Sequence, residues 1–196
     1  MKVVFGLKTH SGWAALVVLG KDNGTIAVVD RQRIELAEER WAKQPYHAAA
    51  ELETEAALEM VNRGVAVAHR IAKDQIRLAV EKENNRHNQV IGCSVLTADR
   101  MPDWTAEQIL AVHFRMHKAE GMLFRNAVVA AARACSLPVI SILEKELATV
   151  ASRALNRSDK QISNMIFALG KKVGAPWQKD QKNAALAALI SLESEK

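Results

Sequence analysis

Three side chains within eight positions have types and spacing suited to metal chemistry. His113, His117 and Glu120 stand at i, i+4 and i+7, so a helix through this stretch sets all three on one face. Two imidazoles one turn apart can hold Zn2+ or another transition ion, with Glu120 as third ligand or as the base of a metal-dependent hydrolase. Helix histidines at this spacing are more often a solvated polar stripe, and the metal is the sharper alternative. A second group, Lys8-Thr9-His10-Ser11-Gly12, offers hydroxyl, ammonium and backbone N–H donors to a phosphate. It lacks the glycine run and following helix of a P-loop, and an ordinary tight turn is the simpler reading.

The third chemical signal is charge. Arg153, Arg157, Lys160, Lys171, Lys172, Lys179 and Lys182 face only Asp159 and Asp180 in the same stretch, an excess equal to the +5 of the whole chain. Such a segment is either a surface that meets phosphates or the solvated side of two helices. Arg125 reads as a surface partner of Glu120 or a phosphate contact. Trp104 and Trp177 follow prolines at helix entrances, where tryptophan usually plugs a core and less often stacks on a base.

With 196 residues, 49% hydrophobic and 25% charged, the chain can bury a proper core and is too apolar to be disordered. The expectation is one domain over residues 1–196. The runs Ala14–Leu19 and Ala127–Ala132 are far shorter than the ~20 residues of a membrane span. The start, Met1–Lys8, reads as a strand and not a signal peptide. Cys93 and Cys135 have neither CxxC nor finger spacing and read as reduced core residues, which suits a cytoplasmic protein.

The elements that must position these groups begin with strands at Val3–Leu7, Trp13–Leu19 and Thr25–Leu36, the last two joined by the hairpin turn Gly20-Lys21-Asp22-Asn23-Gly24. Helical periodicity covers about His47 to Lys73, with Gly64 a candidate interruption. Ile76, Leu78 and Val80 alternate with Arg77, Ala79 and Glu81 and read as a strand, the alternative being that the helix continues to Glu83. Gln89–Leu96 is another, across the polar loop Asn84–Asn88. A long helix follows from Ala106 to about Ala134, capped by Asp103 or Thr105. The remaining elements are a strand at Pro138–Leu143 and helices at Glu144–Leu155, Ser158–Gly170 and about Gln178–Leu192. The Ala-Ala-Leu-Ala-Ala-Leu run of the last must pack closely against a neighbour.

This order resembles the ribonuclease H-like fold, an α/β architecture with a mixed five-stranded sheet: a three-stranded antiparallel meander plus parallel strands, flanked by helices. Phe5-Gly6-Leu7-Lys8-Thr9-His10-Ser11-Gly12-Trp13 is similar to the first strand and turn of RuvC-type junction resolvases, and Leu78-Ala79-Val80-Glu81 to their fourth strand. His117-Lys118-Ala119-Glu120-Gly121 through Leu137-Pro138-Val139 resembles the helix and strand that follow. Ser158-Asp159-Lys160-Gln161-Ile162 and Asp180-Gln181-Lys182-Asn183-Ala184-Ala185-Leu186-Ala187 look like their basic helix and closing motif. The resemblance covers roughly residues 1–12 and 76–190, with Gln89–Asp103 as an insertion.

The resemblance implies a set of carboxylates that holds two Mg2+ or Mn2+ ions for phosphodiester cleavage. Glu81 and Asp180 take two of those places, Asn183 is a neutral oxygen ligand in a third, and Lys8 stands where the first aspartate belongs. An ammonium there repels the cation and donates where an acceptor is needed. The resemblance therefore implies a degenerate metal centre, with Lys8 paired to Glu81 or Asp180, on a homodimeric protein that binds or cleaves structured DNA or RNA. Two alternatives stay open: a non-enzymatic adaptor on the same fold, and the histidine-face hydrolase.

Overall fold

The computed structural model describes residues 1–194. Three strands open the chain: β1 (Lys2–His10), β2 (Trp13–Asp22) and β3 (Thr25–Glu35). Asn23 and Gly24 at the β2–β3 turn both have positive φ, 48° and 81°, the backbone a two-residue hairpin demands. β1 and β2 are buried on both faces, whereas β3 is half-exposed with arginines along its second half, as a strand at the sheet edge should be.

Two short helices follow, α1 (Arg40–Lys43) and α2 (Pro45–Ala49), then the long α3 (Thr54–Asn85). Strand β4 (Gln89–Thr97), helices α4 (Ala106–Leu110) and α5 (His113–Ala134), and strand β5 (Val139–Leu143) come next. After a 3₁₀ turn at Glu144–Glu146 the chain ends in α6 (Leu147–Leu155), α7 (Asp159–Val173) and α8 (Lys179–Ser194). The sheet order is β3-β2-β1-β4-β5. β1–β2 and β2–β3 are antiparallel, while β1–β4 and β4–β5 are parallel, so the mixed five-stranded sheet is present as expected. Among the described residues no helix is long and apolar enough to cross a membrane.

Helices cover both faces of the sheet. On one, Val3, Phe5 and Leu7 of β1 pack with Ala68, Ala72 and Ile76 of α3 and Phe124, Ala127 and Val128 of α5. On the other, Val4, Val17 and Leu19 pack with α8, α6 and α7. The alanine run of α8 finds its neighbour in β1: a Cβ on Gly6 would lie 1.9 Å from the Ala184 carbonyl oxygen, so helix and strand backbones touch where neither carries a bulky side chain. Ser94 and Ser191, both buried, are hydrogen-bonded at 2.6 Å and tie β4 to α8. Arg31 of β3 donates to the carbonyls of Gly174 (2.8 Å), Ala175 (2.7 Å) and Pro176, clasping the loop before α8.

The structure corrects the element reading in several places, beginning with His47, which lies in α2 apart from the helix that starts at Thr54. Ile76–Val80 is not a strand but part of α3, which runs on to Asn85 without a break at Gly64. The buried positions Ala68, Ala72, Ile76, Ala79 and Glu83 follow the helical period, and Leu78, whose apolarity suggested alternation, is exposed. With no Gly or Pro between Val65 and Asn85, helix propagation continues at little cost per residue, until His87 takes a left-handed φ of 59°. Gln89–Thr97 is therefore not an insertion but the central parallel strand β4. The long helix from Ala106 divides at Ala111–Val112, with Thr105 making the capping box.

Cys93 and Cys135 are free thiols, one buried and one partly so. Burial, then the charge of Cys135, pushes the Cys93 thiol up to about 12, which leaves it a core group and no nucleophile. Trp177 plugs the core as expected, its ring against Gly170 and its Nε1 donating to the Ile166 carbonyl at 3.1 Å. Trp104 packs beside Ile109 and Met116, with the Arg115 guanidinium over its ring.

Candidate functional site

β1, β3, β4 and β5 all point their carboxyl ends the same way, the end of an α/β sheet where functional groups gather. Lys8 emerges there from β1 on the α8 side and is only 8% exposed. Its ammonium is ion-paired with Glu144, the first residue after β5. Arg125 of α5 also feels Glu144: burial lowers the guanidinium's pKa and the glutamate's charge opposes that shift. Two residues on, His10 stacks on Trp13, with ring centroids 4.3 Å apart, and Arg33 covers Trp13 at 3.9 Å. His10 Nε2 lies 3.1 Å from Asp180 Oδ2 in the first turn of α8. Asn183, one turn further, lines a cleft between α6, α7 and α8 with Lys182, Ile162 and Phe167.

The structure brings Lys8 and Asp180 to this end, but the partner of Lys8 is Glu144, not Glu81 or Asp180. Glu81 is exposed in α3 and bonded to Arg77 at 2.8 Å. It belongs to the helical layer on the opposite face from α8, because the strand that would have carried it inward is a helix. The guanidinium of Arg125 lies against Gly121, and the charge it feels is that of Glu144. A signal for Glu144 existed: it ends the apolar run Val139–Leu143, where a strand delivers a side chain to the sheet end. Lys8, Thr9 and His10 end β1, and Ser11 and Gly12 make the tight turn to β2, with Gly12 at φ 81° and its carbonyl accepting the Leu36 and Ala37 N–H groups.

These residues do not fit a pair of Mg2+ or Mn2+ ions. Hard cations need several carboxylate oxygens free to turn inward. Here Glu144 is held by a buried ammonium, Asp180 is beside an imidazole, and Glu81 is elsewhere.

At the same end, on the α5 side, the second cluster is built from nitrogen. His113 opens α5 and His117 stands one turn on, as the sequence spacing predicts. A third histidine, His47 of α2, joins them. The ring centroids are 5.0 Å apart for His47–His113, 4.5 Å for His47–His117 and 4.6 Å for His113–His117. One nitrogen from each lies within 4.8 Å of the other two, and His47 Nε2 is 3.3 Å from His113 Nε2. Nothing in the spacing links position 47 to 113, so sequence reasoning missed His47.

Glu120 is not a third ligand beside the two histidines but the support behind His47. It is 1% exposed. Both carboxylate oxygens are 2.9 Å from His47 Nδ1, and Oε1 also accepts the His47 backbone N–H at 3.2 Å. The place of α2 depends on Gly64: a Cβ there would lie 2.3 Å from Pro45 Cβ, so the glycine read as a candidate helix break is the contact that lets α2 sit on α3. Tyr46, beside His47, has its phenol pKa raised by burial and then by the Glu120 charge.

The seven cations of the carboxyl-terminal segment are all exposed. Among the described residues none meets a carboxylate at ion-pair distance. Arg157 and Lys172 line one cleft with Lys21, Lys182 lines the α6–α7–α8 cleft, and Lys171 lies over the exposed ring of Phe167 at 5.0 Å.

No protein-family model and no curated protein matches the sequence. Solved structures do. The chain is similar to Thermus thermophilus RuvC in complex with a Holliday junction substrate, at 12% identity and TM-score 0.55, covering 100% of this chain and 95% of that one. It is also similar to Thermus thermophilus RuvC alone, at 14% identity and TM-score 0.54, covering 98% and 95%. At such identities the likeness is one of fold: the chain has the ribonuclease H-like fold in its RuvC-like form.

Proposed function

We propose that this protein binds structured nucleic acid through the basic surface of α6–α8 and does not cleave it by two-metal chemistry. The observation that carries the reading is the Lys8–Glu144 ion pair, with its buried ammonium, at the carboxyl end of β1. An ammonium fixed there by a carboxylate excludes the paired cations on which phosphodiester hydrolysis of this type depends. Exposed cations on neighbouring helices supply what phosphate binding needs, since each contact releases condensed counterions. That a similar structure holds a Holliday junction makes branched DNA the first substrate to try, with duplex DNA and RNA beside it. A homodimer belongs to the same proposal by resemblance, and a cytoplasmic location by the two free cysteines.

Fluorescence anisotropy with a four-way junction, a duplex and a single strand, in EDTA across a salt series, tests it. The expected result is binding without metal, with log K falling linearly against log salt by about 0.9 per phosphate contacted. Absence of salt-dependent binding to any of the three contradicts the proposal and favours an adaptor.

A further inference from the structure

We infer that His47, His113 and His117 form a site for one divalent transition ion, Zn2+ in the first instance, with Glu120 as its supporting carboxylate. The donor atoms stand at the spacing of a metal's coordination shell. Four-coordinate Zn2+ holds imidazole nitrogens at about 2.0–2.1 Å, which sets neighbouring donors about 3.3 Å apart. His47 Nε2 and His113 Nε2 are already at 3.3 Å, and the three donor nitrogens lie within 4.8 Å of one another. A cluster held only by ring packing would turn its nitrogens outward to water. Here they converge, and the edge-on crossings of 87° and 89° at His113 let lone pairs meet at a point without stacking the rings.

The second observation is Glu120. A carboxylate buried to 1% exposure is costly unless strongly hydrogen-bonded, and this one spends both oxygens on His47. That contact fixes the proton on Nδ1 and leaves the Nε2 lone pair directed at the other two rings, the carboxylate–histidine–metal arrangement by which proteins orient and strengthen a ligand. The donors are three nitrogens with no thiolate, which suits Zn2+, Ni2+ or Cu2+ and disfavours Mg2+. His113 and His117 are exposed, and a cleft lined by Trp41, Gln44 and Ala48 opens beside His47. Three protein ligands with solvent at the fourth position describe a site that keeps a water exchangeable for an anionic ligand.

The test is titration of the full chain, free of any affinity tag, with Zn2+ against a chromophoric chelator, and with Co2+ for the visible bands of a four-coordinate ion. The expected result is one ion per chain, lost in His47→Ala and in the exposed, structurally neutral His113→Gln. Glu120→Gln should retain the site with affinity reduced about 10- to 100-fold. His87→Asn, at the opposite end of the sheet, should change nothing. No stoichiometric binding, or binding that survives both His47→Ala and His113→Gln, overturns the inference.

Discussion

The two clusters at the carboxyl end of the sheet treat their charged groups in opposite ways. On the α8 side each acid has a basic neighbour: Glu144 has Lys8 and Asp180 has His10. On the α5 side a single buried acid, Glu120, serves one histidine, and the nitrogens in front of it face each other. The first arrangement is closed to a cation because an ammonium occupies the centre. The second holds only imidazoles, neutral ligands whose nitrogen lone pairs a transition ion can share. The same end of one fold therefore offers an anion-tolerant surface on one side and a cation site on the other, and the difference comes from which element supplies the central group, a strand lysine or a helix histidine.

The largest effect should come from the contact that seats α8. Gly6→Ala puts a methyl group 1.9 Å from a backbone oxygen, and a helix packed along its whole length cannot yield locally. Urea unfolding should show a loss of about 3 kcal/mol. Gly64→Ala makes the equivalent test on the other side, 2.3 Å from the Pro45 side chain. Because α2 is a single short turn able to shift, it should lose less stability than Gly6→Ala while weakening Zn2+ binding. Equal stability losses with Zn2+ affinity unchanged would remove the link between α2 and the histidine cluster.

Next in size, Zn2+ at one hundred times its dissociation constant should stabilise the wild type by about 2.7 kcal/mol. That corresponds to a rise in Tm of roughly 5–10 °C for a chain of this size, and His47→Ala should show none of it. Lys8→Met leaves Glu144 without its ammonium, yet that carboxylate is about one-third exposed and keeps Arg125 nearby. The expected loss is about 1–2 kcal/mol, below that of a fully buried pair, and Lys8→Met with Glu144→Leu should recover part of it. The smallest change belongs to Lys182→Ala: the salt slope of nucleic-acid binding should fall by about 1, with affinity reduced similarly for every sequence.

Much of this frame was legible in the residues. The meander followed from β-branched runs and the Asn23-Gly24 turn, and the close seat of α8 from its alanines. Lys8 could be placed at the end of the first strand from the flanking Gly6 and Gly12, a lysine where the resemblance implies an acid. The misplacement of Glu81 arose where local alternation in Ile76–Val80 competed with a helical period carried by small residues, Ala68, Ala72 and Ala79, whose burial leaves little trace in hydropathy. The histidine site was half legible. A spacing of four within α5 is local information, but His47 arrives from 66 residues away through the packing of α2 on Gly64, and only the folded chain shows that Glu120 stands behind a ring instead of beside it.

The most direct test of the central claim is cleavage of a four-way junction under single-turnover conditions, with Mg2+ and with Mn2+, by the wild type and by Lys8→Asp. The account predicts binding with no cleavage by the wild type, and Mg2+-dependent stabilisation that appears only in Lys8→Asp, where the introduced carboxylate would join those of Glu144 and Asp180. Metal-dependent cleavage by the wild type that is lost in Glu144→Gln or Asp180→Asn would contradict it.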